Sequence, residues 1–227
     1  MGTRPNVLLI TLDQFRGDCL STVGHPVVRT PHLDRLAGDG TLLTRHYSQA
    51  SPCSPGRACL YTGTYQMNNR VVFNGTPLDD RFDNVARVAR RAGYDPTLFG
   101  YTDQGADPRQ INDPDDHRLS TYEGILPGFR AETDLSDGHL PWVAWLAEQG
   151  IDTRAGGEAL LAEEPDRHED LGISTYLTDR FVAWHERQDG PWFAHLSYLR
   201  PHPPYAAAGR WARAYDPAEV ALPIPPA

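Results

Sequence analysis

After a short polar lead, the chain opens on an unbroken apolar run, Val-Leu-Leu-Ile-Thr-Leu at Val7–Leu12. A run of that length without alternation predicts a strand buried on both faces of a parallel sheet. Residues 30–37 predict a short helix, with Thr30 as its cap, Pro31 at the first helical position and Gly38 and Gly40 ending it. Residues 41–47 predict a second strand, and 48–52 a loop leading to Cys53. A helix then opens at Ser54-Pro55, runs through Tyr61 and stops near Gly63. Residues 83–92 predict a basic-faced helix with Val85 and Val88 inward and Gly93 at its end, and 94–102 a strand.

Residues 103–141 are rich in Asp, Pro and Gly and predict mostly loop, a loop-rich insertion beside a substrate entrance. Residues 142–149 and 174–188 predict helices, the second with Leu177, Phe181 and Trp184 on one face. Residues 192–199 are apolar and aromatic, a further strand. Strands alternating with helices give an α/β class with a largely parallel sheet flanked by helices. The final residues, 221–227, resemble a loop interrupted midway, and there is no internal repeat.

Composition narrows the function classes. The 227 residues carry a formal charge of −9, which argues against general nucleic-acid binding, since phosphate backbones need basic surface. A local arginine or metal cluster still accommodates a small anion. No stretch reaches the length that spans a membrane. The first apolar run leads into Asp13-Gln14 without a small-residue cleavage site, so a buried strand and a cytoplasmic location are expected rather than a signal peptide.

Three cysteines, Cys19, Cys53 and Cys59, form neither a CxxC pair nor a zinc pattern, and Cys19 and Cys59 are expected to be small buried residues. Cys53 is different. In Cys-Ser-Pro-Gly-Arg at 53–57, Pro55 presets helical geometry and Ser54 is placed to cap, so Cys53 sits just outside a helix N-terminus. Arg57, one helical turn on, carries a planar fork suited to tetrahedral oxyanions. By spacing alone this is either an anion site with a nucleophile or a buried cysteine before an ordinary capped helix.

The longer match Ser-Pro-Cys-Ser-Pro-Gly-Arg-Ala-Cys-Leu-Tyr-Thr-Gly at 51–63 resembles the signature of the type I sulfatases, within the alkaline phosphatase superfamily. That resemblance implies that Cys53 is oxidised to formylglycine, whose hydrate is the nucleophile, and that Arg57 stabilises it. It further implies a divalent metal, calcium, manganese or magnesium. Asp13, Gln14 and Cys53 would be its ligands, and the glutamine resembles the phosphonate monoester hydrolase branch. Asn74 and Tyr101 are implied substrate-binding residues, with turn and core roles as the alternatives. Asp103 stands where the branch suggests a hydroxyl residue. His202, in Leu-Arg-Pro-His-Pro-Pro-Tyr at 199–205, resembles the histidine that protonates the leaving group. His25, His32 and His46 have no such context and are expected to be surface or structural.

The resemblance makes residues 1–227 the N-terminal portion of a sulfatase-like catalytic domain with its C-terminal part missing. The implied partners are a small anionic ester (sulfate, phosphonate or phosphate) and a formylglycine-generating enzyme, with no nucleic acid or membrane. Unpaired sheet edges suggest a homo-oligomer. The family's later portion supplies an Asp-His or Asp-Asn pair and a lysine, and this sequence contains no lysine. Two alternatives follow: a truncated, inactive fragment or pseudoenzyme, and a redox-active thiol protein.

Overall fold

The computed structural model describes residues 4–121 and 124–220. In chain order the elements are β1 (Val7–Leu12), α1 (Pro31–Asp39), α2 (Cys53–Thr62), α3 (Gln66–Asn69), α4 (Val85–Arg91), β2 (Thr97–Gly100), β3 (Arg130–Asp134), α5 (Leu140–Glu148), α6 (Gly157–Ala162), α7 (Ile173–His185) and β4 (Phe193–Tyr198). Short 3-10 turns lie between them. The strands order β1-β4-β2-β3, and every pairing is parallel, as the α/β pattern predicts.

Two apolar layers cover the sheet. Phe99 and Leu196 meet Trp142, Leu146, Leu160, Leu177 and Trp184 from α5, α6 and α7. Leu98 and Phe193 meet Ala58 and Tyr61 of α2 and Ala86 and Ala89 of α4. A helix on each face is the arrangement a parallel sheet requires, because its crossovers need length and cover. The central strands run so close that a Cβ on Gly100 would lie 2.1 Å from the Ser197 carbonyl oxygen. Gly100 also has φ +108°, so glycine is required there twice over.

Several expectations are corrected. β1 is at the edge of the sheet among the described residues, and only one of its faces is covered: Leu8 and Ile10, two apart on the other face, are 41% and 47% exposed. Residues 41–47 form no strand; they are exposed, and among the described residues no neighbouring strand offers partners for their backbone groups. In α4 Val85 packs partly buried against the core as expected, but the buried residues are Ala86 and Ala89 and Val88 is 49% exposed; Asn84 caps the helix, which starts two residues later than the pattern suggests. Residues 103–141 hold β3 as well as loop, its pairing with β2 interrupted by a register shift between Leu98 and Phe99. Helix α6 was not foreseen from periodicity; six residues are too few to show it. Cys19 is only partly buried, whereas Cys59 is buried as expected. Residues 221–227 lie outside the described residues. Among the described residues, no helix is long and apolar enough to cross a membrane.

Candidate active site

Two chain segments 40 residues apart meet at the C-terminal end of β1. Asp13, the first residue past the strand, is tethered there by its amide, which donates to the Tyr198 carbonyl at 3.1 Å. Its carboxylate is buried, and Oδ1 accepts from the Cys53 thiol at 3.4 Å. Gln14 follows in a left-handed conformation, φ 60°, and its amide lies 3.9 Å from the Cys53 sulfur. The turn at Asp13-Gln14 thus presents two oxygen-bearing side chains to one sulfur. At ligands of this kind, which amide atom faces the sulfur is a matter of a half-turn of the side chain.

Cys53 is the first residue of α2 rather than a position outside it, with Pro52 as the cap. The expected cap role of Ser54 falls to another residue: the Ser54 amide donates to Asn74 Oδ1 at 3.0 Å. Asn74, expected on the substrate, therefore fastens the loop after α3 to the start of α2. The hydroxyl of Ser54 takes no backbone amide and is buried beside Asp103. At the other end, Gly63 closes α2 at φ 67°, its amide donating to the Cys59 carbonyl.

Arg57 points behind the sulfur rather than out beside it. Its Nη1 donates to Tyr61 Oη at 3.0 Å, to Ser197 Oγ at 2.9 Å and to the Tyr101 carbonyl at 3.3 Å. Nη2 lies 3.5 Å from Asp13 Oδ2, and both side chains are buried. The guanidinium also sits over the Tyr101 ring, 4.6 Å from its centroid. Burial opposes its charge, but Tyr61, Tyr101 and Asp13 outweigh that, so Arg57 stays protonated. Tyr101, expected along a pocket wall, is buried instead, and its hydroxyl donates to Asp13 Oδ2 at 2.5 Å.

One carboxylate oxygen is thus held from behind and the other is turned toward Cys53. That division bears on a divalent cation. Asp13 Oδ1 has no cationic partner, the Gln14 amide is adjacent, and both offer hard oxygen donors of the kind calcium, manganese and magnesium take. His202 stands beside them, with donor atoms of Asp13, Cys53 and His202 within 4.8 Å of one another. Asp13 and Gln14 thus fit part of a cation's ligand shell, while His202 remains free to face a substrate.

Electrostatics disfavour the redox-thiol alternative. Burial, followed by the Asp13 charge, pushes the Cys53 thiol up to about 11, so the unmodified side chain is not a thiolate at neutral pH. All three cysteines are free. Asp103 is buried with φ 55°; burial raises it to about 6, with Arg57 pulling the other way and Asp13 adding to the rise. Its charge still reaches the site, where it helps to raise the Cys53 thiol.

A layer below the site escaped the sequence reading. His195 Nε2 lies 3.2 Å from Thr11 Oγ1, and the Thr11 hydroxyl donates to Ser197 Oγ at 3.1 Å. Ser197 then accepts from Arg57. Burial, then the Arg57 charge, lowers His195 to about 3, so it is neutral and donates through Nε2. The signal was present: His195 and Ser197 are the polar residues two apart in an otherwise apolar strand, hence on one face. Of the other histidines, His25 is structural, its Nδ1 accepting from the Val27 and Val28 amides, and His32 and His46 are exposed.

A cavity of about 990 Å³ is lined by Asp13, Gln14, Cys53 and Arg57 together with Tyr47 and Leu60.

Comparison with known proteins identifies the family and the fold. The Sulfatase family model matches residues 5–220. The multifunctional alkaline phosphatase superfamily protein PehA of Trinickia caryophylli is 35% identical over 240 residues, covering 98% of this chain and 46% of that protein. An arylsulfatase of Clostridium perfringens is 26% identical over 214 residues, covering 88% and 44%. The crystal structure of a phosphonate monoester hydrolase of Agrobacterium radiobacter superimposes with a TM-score of 0.90 at 47% identity, covering 96% of this chain and 45% of that one. A phosphonate monoester hydrolase of Silicibacter pomeroyi gives 0.83 at 39% identity, covering 97% and 46%. The chain spans less than half the length of these relatives.

Proposed function

Because the chain belongs to the sulfatase family, we propose that its site takes part in hydrolysing a sulfate, phosphonate or phosphate ester through a nucleophile made from Cys53. The observation that carries this reading is the convergence of Asp13, Cys53 and His202 donor atoms within 4.8 Å at the N-terminus of α2. The cavity beside Cys53 admits a small ester, and the amides at the start of α2 face its reacting group.

An external formylglycine-generating enzyme, with its own oxidant, takes two electrons from the Cys53 Cβ and releases the sulfur as sulfide, leaving an aldehyde that hydrates to two hydroxyls. One hydroxyl attacks sulfur or phosphorus and the ester oxygen leaves. His202 donates a proton to that leaving oxygen. The second hydroxyl loses its proton, the aldehyde re-forms and the oxyanion departs. Asp13 and Gln14, with Cys53, would hold a calcium, manganese or magnesium ion, which when bound lowers the cost of deprotonating the hydroxyl. Tyr101 and Arg57 fix the Asp13 carboxylate so that its free oxygen faces the reaction, and Asn74 keeps the start of α2 in place. Residues 1–227 would then form the N-terminal portion of the catalytic domain.

Mass spectrometry of the Cys53 peptide from protein made in its natural host tests the reading directly. An aldehyde in place of the thiol, and loss of ester turnover in Cys53→Ala, are expected. An intact thiol in protein that still turns over would sink the nucleophile assignment. A second reading is a non-catalytic member that keeps the fold. It predicts an unmodified Cys53 and no bound metal.

A further inference from the structure

We propose that the buried Glu164–Arg200 ion pair is the positioning device for His202, holding the loop that presents its imidazole to the leaving group. The inference rests on His202 being the leaving-group acid and adds how that acid is aimed.

His202 sits where β4 ends, on a stretch with no regular secondary structure. A side chain on such a segment needs an external brace to be held in one geometry. Arg200 supplies it. Its Nε donates to Glu164 Oε2 at 2.9 Å, and Nη2 donates to the same oxygen and to the Leu161 carbonyl at 3.0 Å. Its Nη1 donates to the His202 carbonyl at 3.1 Å and to the Pro204 carbonyl. Every N–H of the guanidinium is therefore used, and two go to the carbonyls of His202 itself and of Pro204, two residues on. Glu164, 2% exposed, spends its other oxygen on the Ile173 amide at 2.7 Å, at the first turn of α7.

The pair thus ties the His202 loop to the end of α6 and the start of α7, elements packed in the main core. With its backbone fixed, His202 donates Nδ1–H to the Pro203 carbonyl at 2.7 Å, which leaves Nε2 to face the site. A buried ion pair is a poor way to gain stability, because apolar residues of the same volume do as well or better. Its geometry here suits fixing one loop conformation.

Glu164→Gln keeps the shape and an acceptor for Ile173; Arg200→Lys keeps the charge and loses the fork. Both are compared with His202→Ala in the full chain, using 4-nitrophenyl and phenyl esters of one acid. Loss of a general acid slows the phenyl ester, with its poorer leaving group, by about 10²–10⁴ and the nitrophenyl ester far less. The two pair variants should slow the phenyl ester in the same selective way, on the order of tenfold, with KM little changed. A merely structural lesion would slow both esters alike. Independently of turnover, NMR of the His202 imidazole should give one sharp set of signals in the parent chain and broadened or doubled signals in both variants. His202 signals unchanged in both variants, or equal slowing of the two esters, would overturn the proposal. If His202→Ala itself shows no leaving-group selectivity, the acid assignment falls and the positioning role falls with it. If that selectivity is present in His202→Ala and absent from the pair variants, the pair alone is refuted.

Discussion

The Asp13 carboxylate and the Cys53 thiol face each other at 3.4 Å although 40 positions separate them. Each is the end residue of its element: Asp13 follows the last residue of β1, and Cys53 begins α2. The oxygen that meets the thiol is the one not engaged by Tyr101 or Arg57. That division of labour on one carboxylate leads to the first prediction.

Tyr101→Phe removes the hydroxyl that holds Asp13 Oδ2 while leaving the ring over Arg57. Loss of a hydrogen-bond partner behind a metal ligand weakens affinity by about 10–100-fold. Titration with manganese, followed by calorimetry or electron paramagnetic resonance, should show a drop in that range. Unaltered affinity would mean that Asp13 is not a ligand or is not held by Tyr101.

Arg57→Met should destabilise the fold sharply. The arginine's charge is buried against Asp13, and removing one partner of such a pair costs about 3–5 kcal/mol. Urea denaturation at pH 7 reads the loss. A change below about 1 kcal/mol, the range of exposed pairs, would contradict the buried arrangement.

His195 makes stability pH-dependent. Folding holds it neutral down to about 3, chiefly through burial, whereas an unfolded chain takes up the proton near its ordinary value of 6.5. Below that value the unfolded state binds the extra proton, so this contribution is complete above pH 6.5 and is lost as pH falls toward 3. The slope for one proton is at most about 1.4 kcal/mol per pH unit. His195→Gln, which retains a donor toward Thr11, should flatten the stability profile between pH 5 and 6.5. An unchanged slope would show that His195 is not the group responsible.

The two faces of α4 make opposite predictions. Val88→Ala, on the exposed side, should change stability by no more than about 0.5 kcal/mol. Ala89→Val, on the face against the sheet, should cost about 1–3 kcal/mol by overpacking. Thermal unfolding of the pair distinguishes this orientation from one with Val88 inward.

The sequence by itself determined the fold class, since apolar runs at β1 and β4 and the helical face of Leu177, Phe181 and Trp184 follow from local periodicity. It also singled out Asp13, Cys53 and His202 by motif, and the structure brings their donor atoms together. Orientation was another matter. Whether Tyr101 lines a cavity or braces Asp13, and whether Asn74 faces a substrate or the Ser54 amide, depends on partners 88 and 20 positions away. The same holds for β1, whose run of apolar residues cannot reveal whether a neighbour lies on one side or both. Periodicity reports which face of an element is apolar. Strand order, register and the pairing of buried charges such as Glu164 with Arg200 come from contacts distant in sequence, and only tertiary packing fixes those.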